Sequence, residues 1–183
     1  MASPSKENNV IKLILENSPL KEWHFAEVVK EAKVTKAVAN KWLKKCVEEG
    51  ILMHVKKKGQ FPHFTAGTNN PYYQSMKRMF ALEQLHASGL IPRLLETPSA
   101  KTVIVFGSFA KGDWYKDSDI DVFVLGHMTG FDKHSFERKL NKKIELHVFE
   151  NRKELGEVKS GLLKNVINGY VVKGQIQDVA EVA

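Results

Sequence analysis

Four apolar residues, Val103-Ile104-Val105-Phe106, run without a break into Gly107-Ser108, and after ten intervening residues Asp119-Ile120-Asp121 opens a second apolar run, Val122 to Leu125. Short continuous runs of this kind, rich in β-branched residues and bounded by turn signals, read as buried strands. The order is strand, Gly-Ser turn, short helix, then a second strand headed by two alternate aspartates. Side chains on a strand alternate between its two faces. Asp119 and Asp121 therefore project on one side, roughly 6 to 7 Å apart at Cα, while Ile120, Val122 and Val124 point the other way into packing.

Two carboxylates held side by side repel each other unless a cation lies between them. A hard, oxygen-seeking cation such as Mg²⁺ suits them, because it also accepts phosphate oxygens and water. Gly107 lets the backbone approach a triphosphate closely, and the Ser108 hydroxyl and the N–H groups of the following helix start can hydrogen-bond it. A third carboxylate is expected from a neighbouring strand. Ile144-Glu145-Leu146-His147-Val148-Phe149 alternates, with Ile144, Leu146 and Val148 on one face and Glu145 and His147 on the other. Glu145 is the candidate to orient a second metal and take a proton from an attacking hydroxyl. His147 as a ligand is the lesser reading. Ser108 as a nucleophile is disfavoured, since no His/Asp partners are evident. Trp114 and Tyr115 read as loop surface or packing before base stacking. An isolated aspartate pair is more often a turn or a cap; the adjoining Gly-Ser, apolar strand and Glu145 shift the reading to a metal site.

The charge is uneven. Residues 1–66 hold 12 Lys against 7 acids, +5 of the chain's +7. This first third reads as three helices and a hairpin. Val10, Ile11, Ile14 and Leu15 recur at helical spacing until Ser18-Pro19. A second helix buries Phe25, Val28, Val29 and Ala32. After the turn Lys33-Val34-Thr35, a third carries Val38, Trp42, Cys46 and Val47 inward and ends at Gly50. Ile51 to Val55 and Phe61 to Thr65 form two strands joined by a basic turn over residues 56–60. Helix, helix, tight turn, helix and a two-stranded wing is the helix-turn-helix plan, in which the helix after the turn enters the major groove. Its outward face offers Lys36, Asn40, Lys41, Lys44 and Lys45, and the wing offers Lys56, Lys57 and Lys58, for phosphates and a base edge. The segment ILMHVKKKGQFPHFTA resembles the wing of archaeal and bacterial winged-helix regulators. A protein-docking or spacer role is the competing reading.

Gly67 to Pro71 breaks the pattern and marks a module boundary. Tyr72, Met76, Met79, Phe80, Leu82 and Leu85 predict one amphipathic helix from Tyr72 to His86, with a short helical piece at Leu90–Leu95. This linking helix packs on one or both domains, or serves a homodimer. The expected division is a winged helix-turn-helix domain over 1–66, a linker region over 67–98 and a catalytic domain over 99–183. The single cysteine, Cys46, excludes an internal disulfide and a cysteine-cluster zinc site and reads as a buried thiol. No run of 18 apolar residues is present, so no membrane span is expected, and MASPSKENN lacks the apolar stretch of a secretory leader. A cytoplasmic protein is the expectation.

GSFAKGDWYKDSDID is similar to the signature of the DNA polymerase β-like nucleotidyltransferase superfamily, in which Gly-Ser is followed ten residues later by Asp-x-Asp. VIVFGSFAKGDWYKDSDIDVFVLG resembles in particular the minimal nucleotidyltransferases of prokaryotes, over roughly residues 100–174, including the closing Gly169 to Gly174. The resemblance implies a C-terminal nucleotidyltransferase α/β domain with a mixed sheet, and with the N-terminal winged helix and linker helix read above the expected chain is α+β. It implies that Gly107 and Ser108 bind the triphosphate of an NTP, most simply ATP, with Lys111 assisting. Asp119 and Asp121 would ligate two Mg²⁺ ions, with Glu145 third where the family more often has Asp. The implied reaction is NMP transfer to a hydroxyl on a protein (a HEPN-like toxin in some relatives), a small molecule or a nucleic acid. The alternative is a regulator that binds double-stranded DNA and whose nucleotidyltransferase-like domain only binds nucleotide.

Overall fold

In the computed structural model, which describes residues 8–156, 158 and 160–180, the two apolar runs become neighbouring antiparallel strands. The first seven residues of MASPSKENN lie outside the described residues. The chain divides into two compact units, Met1–Lys77 with Asp113–Lys116, and Arg78–Gly112 with Asp117–Ala183.

The first unit holds α1 (Asn8–Glu16), α2 (Phe25–Glu31), α3 (Lys36–Glu48), and an antiparallel hairpin of β1 (Leu52–Val55) and β2 (His63–Ala66). α3 begins where Thr35, in extended conformation, accepts a hydrogen bond from the Val38 N–H through its side chain. A cap of this type contributes about 1 kcal/mol. The strand expected from Phe61 starts later, at His63: Pro62 has no N–H to give a ladder, and Phe61 stays exposed. Trp23 adds an isolated bridge to Phe64, with both backbone bonds at 2.8 Å.

The inward face of α3 differs from the expected one. Ala39, Leu43 and Cys46 are buried, while Val38, Trp42 and Val47 are half-buried. The helix turns its small alanine to the core and keeps its indole at the margin, where the Lys45 ammonium lies 4.8 Å from the ring. Burial pushes the Cys46 thiol up to about 12, so it is a protonated, inert core group at neutral pH.

α4 (Pro71–Ala87) spans the predicted linking helix, but its buried stripe is Tyr73, Lys77, Ala81 and Leu85; Tyr72 and Met79 are exposed. Lys77 is the residue the periodicity did not place. Its ammonium donates to the Asn17 carbonyl at 3.1 Å and lies 4.9 Å from the Trp114 ring, whose Nε1–H in turn donates to the Lys77 carbonyl. Two aromatic faces and a carbonyl take the place of water around a buried charge. Trp114 is accordingly core, as one of the two sequence readings had it.

The second unit contains α5 (Leu90–Leu95), β3 (Ala100–Phe106), α6 (Ser108–Lys111), β4 (Ile120–Gly126), α7 (Lys133–Leu140), β5 (Ile144–Phe149), α8 (Arg152–Leu155), α9 (Ser160–Ile167) and β6 (Tyr170–Lys173). The sheet is mixed, in the order β5-β4-β3-β6: β3 is antiparallel to β4 and β6, and β4 is parallel to β5. Ile104, Phe106, Phe123 and Leu125 pack on one face with Leu155 and Val166. Ile120, Val122 and Val124 are also buried, so β3 and β4 are covered on both faces. Gly169 precedes β6 because a Cβ there would meet the Ile104 side chain at 2.5 Å and the Val105 carbonyl at 2.7 Å. Among the described residues no helix is long and apolar enough to cross a membrane.

Asp178, in a single 3₁₀ turn (Ile176–Asp178), fastens the end of the chain to β3. It accepts from the buried Thr102 hydroxyl at 2.7 Å and pairs with Lys101 at 2.7 Å. The Lys101 and Thr102 hydrogen bonds hold its carboxyl below the usual carboxylate range. A depressed carboxylate stabilises the fold above its ordinary value and loses that contribution as pH falls. Asp178→Ala is expected to cost about 1–3 kcal/mol at pH 7, because Thr102 is left without its acceptor. In urea denaturation the gap to the parent should narrow in acid, below about pH 4; a gap that is absent at pH 7 would contradict this role.

Candidate functional site

The site is built by strand register. Phe106 on β3 lies opposite Asp121 on β4, and Asp121 lies opposite Glu145 on β5, in one row across three strands. Two pairs along, Phe123 lies opposite His147. Period-two alternation therefore places Asp121, Glu145 and His147 on the same face as the Phe106 and Phe123 core. The start of β5 is fixed from two directions: the Ile144 N–H donates to the Glu137 carboxylate at 3.0 Å, and the Lys143 carbonyl accepts from the Ile120 N–H at 2.9 Å. α7 brings Glu137 to that point, starting at an Asp132 cap and stopping at Asn141, which adopts the left-handed conformation. The hydrogen bond from Ile144 is the main reason that the Glu137 carboxyl lies below its ordinary value.

Asp121, Glu145 and His147 bring one ligand atom each to within 4.8 Å of one another. His147 Nε2 lies 3.8 Å from Asp121 Oδ1 and 4.0 Å from Glu145 Oε2, beyond hydrogen-bond range of either. It is fully covered and has no hydrogen-bond partner. The Phe106 ring packs against the imidazole, centroids 5.2 Å apart. Burial first, then the Glu145 charge, push the Asp121 carboxyl above its ordinary value; Asp119 adds to this and His147 opposes it. A carboxylate raised by a like charge, and an imidazole nitrogen without a partner, are what a divalent cation would relieve, so this donor set fits one.

Gly107 closes the site from β3. Its backbone, at φ 71° and ψ −145°, lies in a region open in practice only to glycine. A Cβ there would meet Asp121 Oδ2 at 2.1 Å. The Gly-Ser turn and the Asp-x-Asp strand are thus in direct apposition.

The other expected residues are placed as follows. Ser108 is the first residue of α6. Asp119 stands just before β4, half-buried, and acts on Asp121 through its charge; it is not one of the three with converging ligand atoms. Lys111 is exposed, and its ammonium donates to Asn165 Oδ1 at 2.8 Å. In the other unit, Lys36, Asn40, Lys41, Lys44 and Lys45 are all exposed along α3, and Lys56, Lys57 and Lys58 are exposed between β1 and β2. Lys44 and Lys45 make i,i+4 pairs with Glu48 and Glu49 at 3.9 and 3.7 Å, weak at such exposure. His147, the lesser ligand reading from the sequence, lies two residues after Glu145 on the alternating strand and on the same face.

Gly107→Ala is expected to lower stability by about 1–3 kcal/mol through backbone strain and to swing the Asp121 carboxylate away. Urea denaturation reads the first effect; an unchanged midpoint would mean that residue 107 adopts an ordinary conformation.

Residues 88–168 match the family model described as a nucleotidyltransferase domain. No curated protein gives a significant match. Similar solved structures include a crystal structure of a toxin–antitoxin with AMP-PNP, at 20% identity and a TM-score of 0.34, covering 56% of this chain and 77% of that one. Another is a doubly mutated toxin–antitoxin, MntA-HpeT, at 18% identity and a TM-score of 0.31, covering 56% and 76%. Superpositions this partial carry no argument about this chain. The segment that matches the nucleotidyltransferase-domain model holds Gly107, Ser108, Asp119, Asp121, Glu145 and His147.

Proposed function

We propose that the chain transfers an NMP from an NTP, most simply ATP with Mg²⁺, to an acceptor hydroxyl, and that its first unit is a winged helix that binds DNA. The observation that carries the catalytic reading is the convergence of Asp121 and Glu145 in one row beneath Gly107, inside the matched segment. In this reading Gly107 gives the triphosphate close access to the backbone, and the Ser108 hydroxyl and Lys111 ammonium bind its oxygens. Asp119, Asp121 and Glu145 hold the divalent cations. Glu145, whose side chain is 57% exposed, reaches outward to orient the acceptor hydroxyl and receive its proton. The cations would supply charge neutralisation for an in-line displacement that releases pyrophosphate. The acceptor class is a hydroxyl on a protein, a nucleic acid or a small molecule.

The test is incubation of the purified protein with Mg²⁺ and each α-³²P-labelled NTP, with and without cell extract, beside Asp119→Ala/Asp121→Ala. Label should move to an acceptor in the parent and fall at least a hundredfold in the double variant. Mg-NTP binding without transfer would favour the nucleotide-sensing regulator; absence of Mg-NTP binding would overturn the site.

The DNA reading rests on the exposed lysines of α3 and of the 56–60 turn, together with the +5 charge of residues 1–66. Each lysine that neutralises a phosphate contributes about 0.9 to the slope of log affinity against log salt. Lys56→Ala/Lys57→Ala/Lys58→Ala should therefore reduce the slope for random-sequence duplex by roughly 2 to 3. An unchanged slope, or no binding by the parent, would return this unit to protein docking.

A further inference from the structure

We propose that His147 supplies a nitrogen ligand to the cation held by Asp121 and Glu145, making this a mixed oxygen–nitrogen centre that selects a transition-metal divalent ion such as Mn²⁺ over Mg²⁺. The inference rests on the metal-dependent reading above and adds to it the donor set and the preference that follows from it. The first support is geometric. Nε2 lies 3.8 Å from one carboxylate oxygen and 4.0 Å from the other, too far to hydrogen-bond either. Donors about 2.0–2.2 Å from a shared ion stand at most about 4.4 Å apart, so each of the two His147 gaps can be spanned by one ion. The second is the state of the nitrogen itself. It is fully covered and without a hydrogen-bond partner, an arrangement a buried polar atom rarely keeps without compensation. The third is mechanical. Glu145 and His147 project from the same face of β5, and the Phe106 ring braces the imidazole from the neighbouring core.

Ligand chemistry gives the preference. Carboxylates alone suit Mg²⁺ and Mn²⁺ alike, whereas imidazole favours the first-row transition metals and gives little to Mg²⁺. A set of two carboxylates and one imidazole also leaves coordination positions for water or phosphate oxygens, as a catalytic rather than a sealed structural site requires.

The experiment uses the full chain without nucleotide. Mn²⁺ binding is followed by loss of the free-ion EPR signal and by competition with Mg²⁺, and pulsed EPR reads directly bound nitrogen, checked with ¹⁵N-histidine protein. The parent should bind Mn²⁺ at least about tenfold more tightly than Mg²⁺ and show a histidine nitrogen coupling that changes on ¹⁵N labelling. His147→Gln should abolish that coupling and weaken Mn²⁺ at least about tenfold, with Mg²⁺ affinity changed less than threefold; loss of even a ligand's supporting partner costs about this much. Asp121→Asn should weaken both ions. Mn²⁺ and Mg²⁺ bound equally, with no nitrogen coupling in the parent, would overturn the His147 assignment and leave the metal-dependent reading standing. Failure of the parent to bind either ion would overturn both. The coupling is measured on the parent, so the result does not depend on the variant folding.

Discussion

The parallel pairing of β4 with β5 brings Asp121 directly opposite Glu145, two like charges on adjacent strands at the edge of an apolar face. Parallel neighbours cannot be joined by a tight turn, so the chain must leave the sheet and return through a crossover, here the segment carrying α7. That crossover does more than connect. Its Glu137 captures the first N–H of β5, which sets the register that makes Glu145, and not its neighbour, the residue facing Asp121. A slip of one residue would turn Glu145 and His147 to the opposite face and bring Leu146 to theirs.

The sheet sustains this arrangement because the repulsion is confined to one row. Phe106, Phe123 and Leu125 pack on the same face immediately behind the carboxylates, and the β-branched residues of β3 and β4 fill the other. Burial that stabilises the strands also strips water from Asp121 and raises its carboxyl. Gly107 tightens the same constraint: its backbone occupies space that a side chain would need, leaving the Asp121 carboxylate against bare main chain. The local conflict of charge and burial thus sits at the end of an otherwise mutually consistent core, where functional sites characteristically break the local rules.

Much of this half was legible in the sequence because its signals are strong and local. Val103 to Phe106 and Val122 to Leu125 are doubly buried strands with no competing helical period, and Glu145 and His147 follow from simple alternation. The helices were legible as helices but not in their facing. α3 has apolar residues around much of its circumference, so periodicity could not choose between Trp42 and Ala39; volume at the core decided it. In α4 the buried stripe runs through Lys77, a residue whose burial depends on Asn17, Tyr73 and Trp114, and no window of sequence contains all three. Asp178 was silent for the same reason: its hydroxyl partner, Thr102, is 76 residues away.

The glutamate at 145, where the resembling family more often has aspartate, takes on a different meaning beside His147. The extra methylene carries the carboxylate outward, and the Glu145 side chain is 57% exposed where that of Asp121 is 25% exposed. Asp119 stands before the strand and outside the row, so the atoms that converge most closely are two carboxylates and an imidazole. Such a set carries less negative charge than three carboxylates, which eases the repulsion that the register imposes while no cation is bound. In the proposed centre it would also weaken the purely electrostatic attraction for a hard ion and replace part of it with directional nitrogen donation. Glutamate at 145 and histidine at 147 would act in that proposed centre as one coupled feature of β5, the carboxylate's greater reach and the imidazole's position together defining how it holds charge.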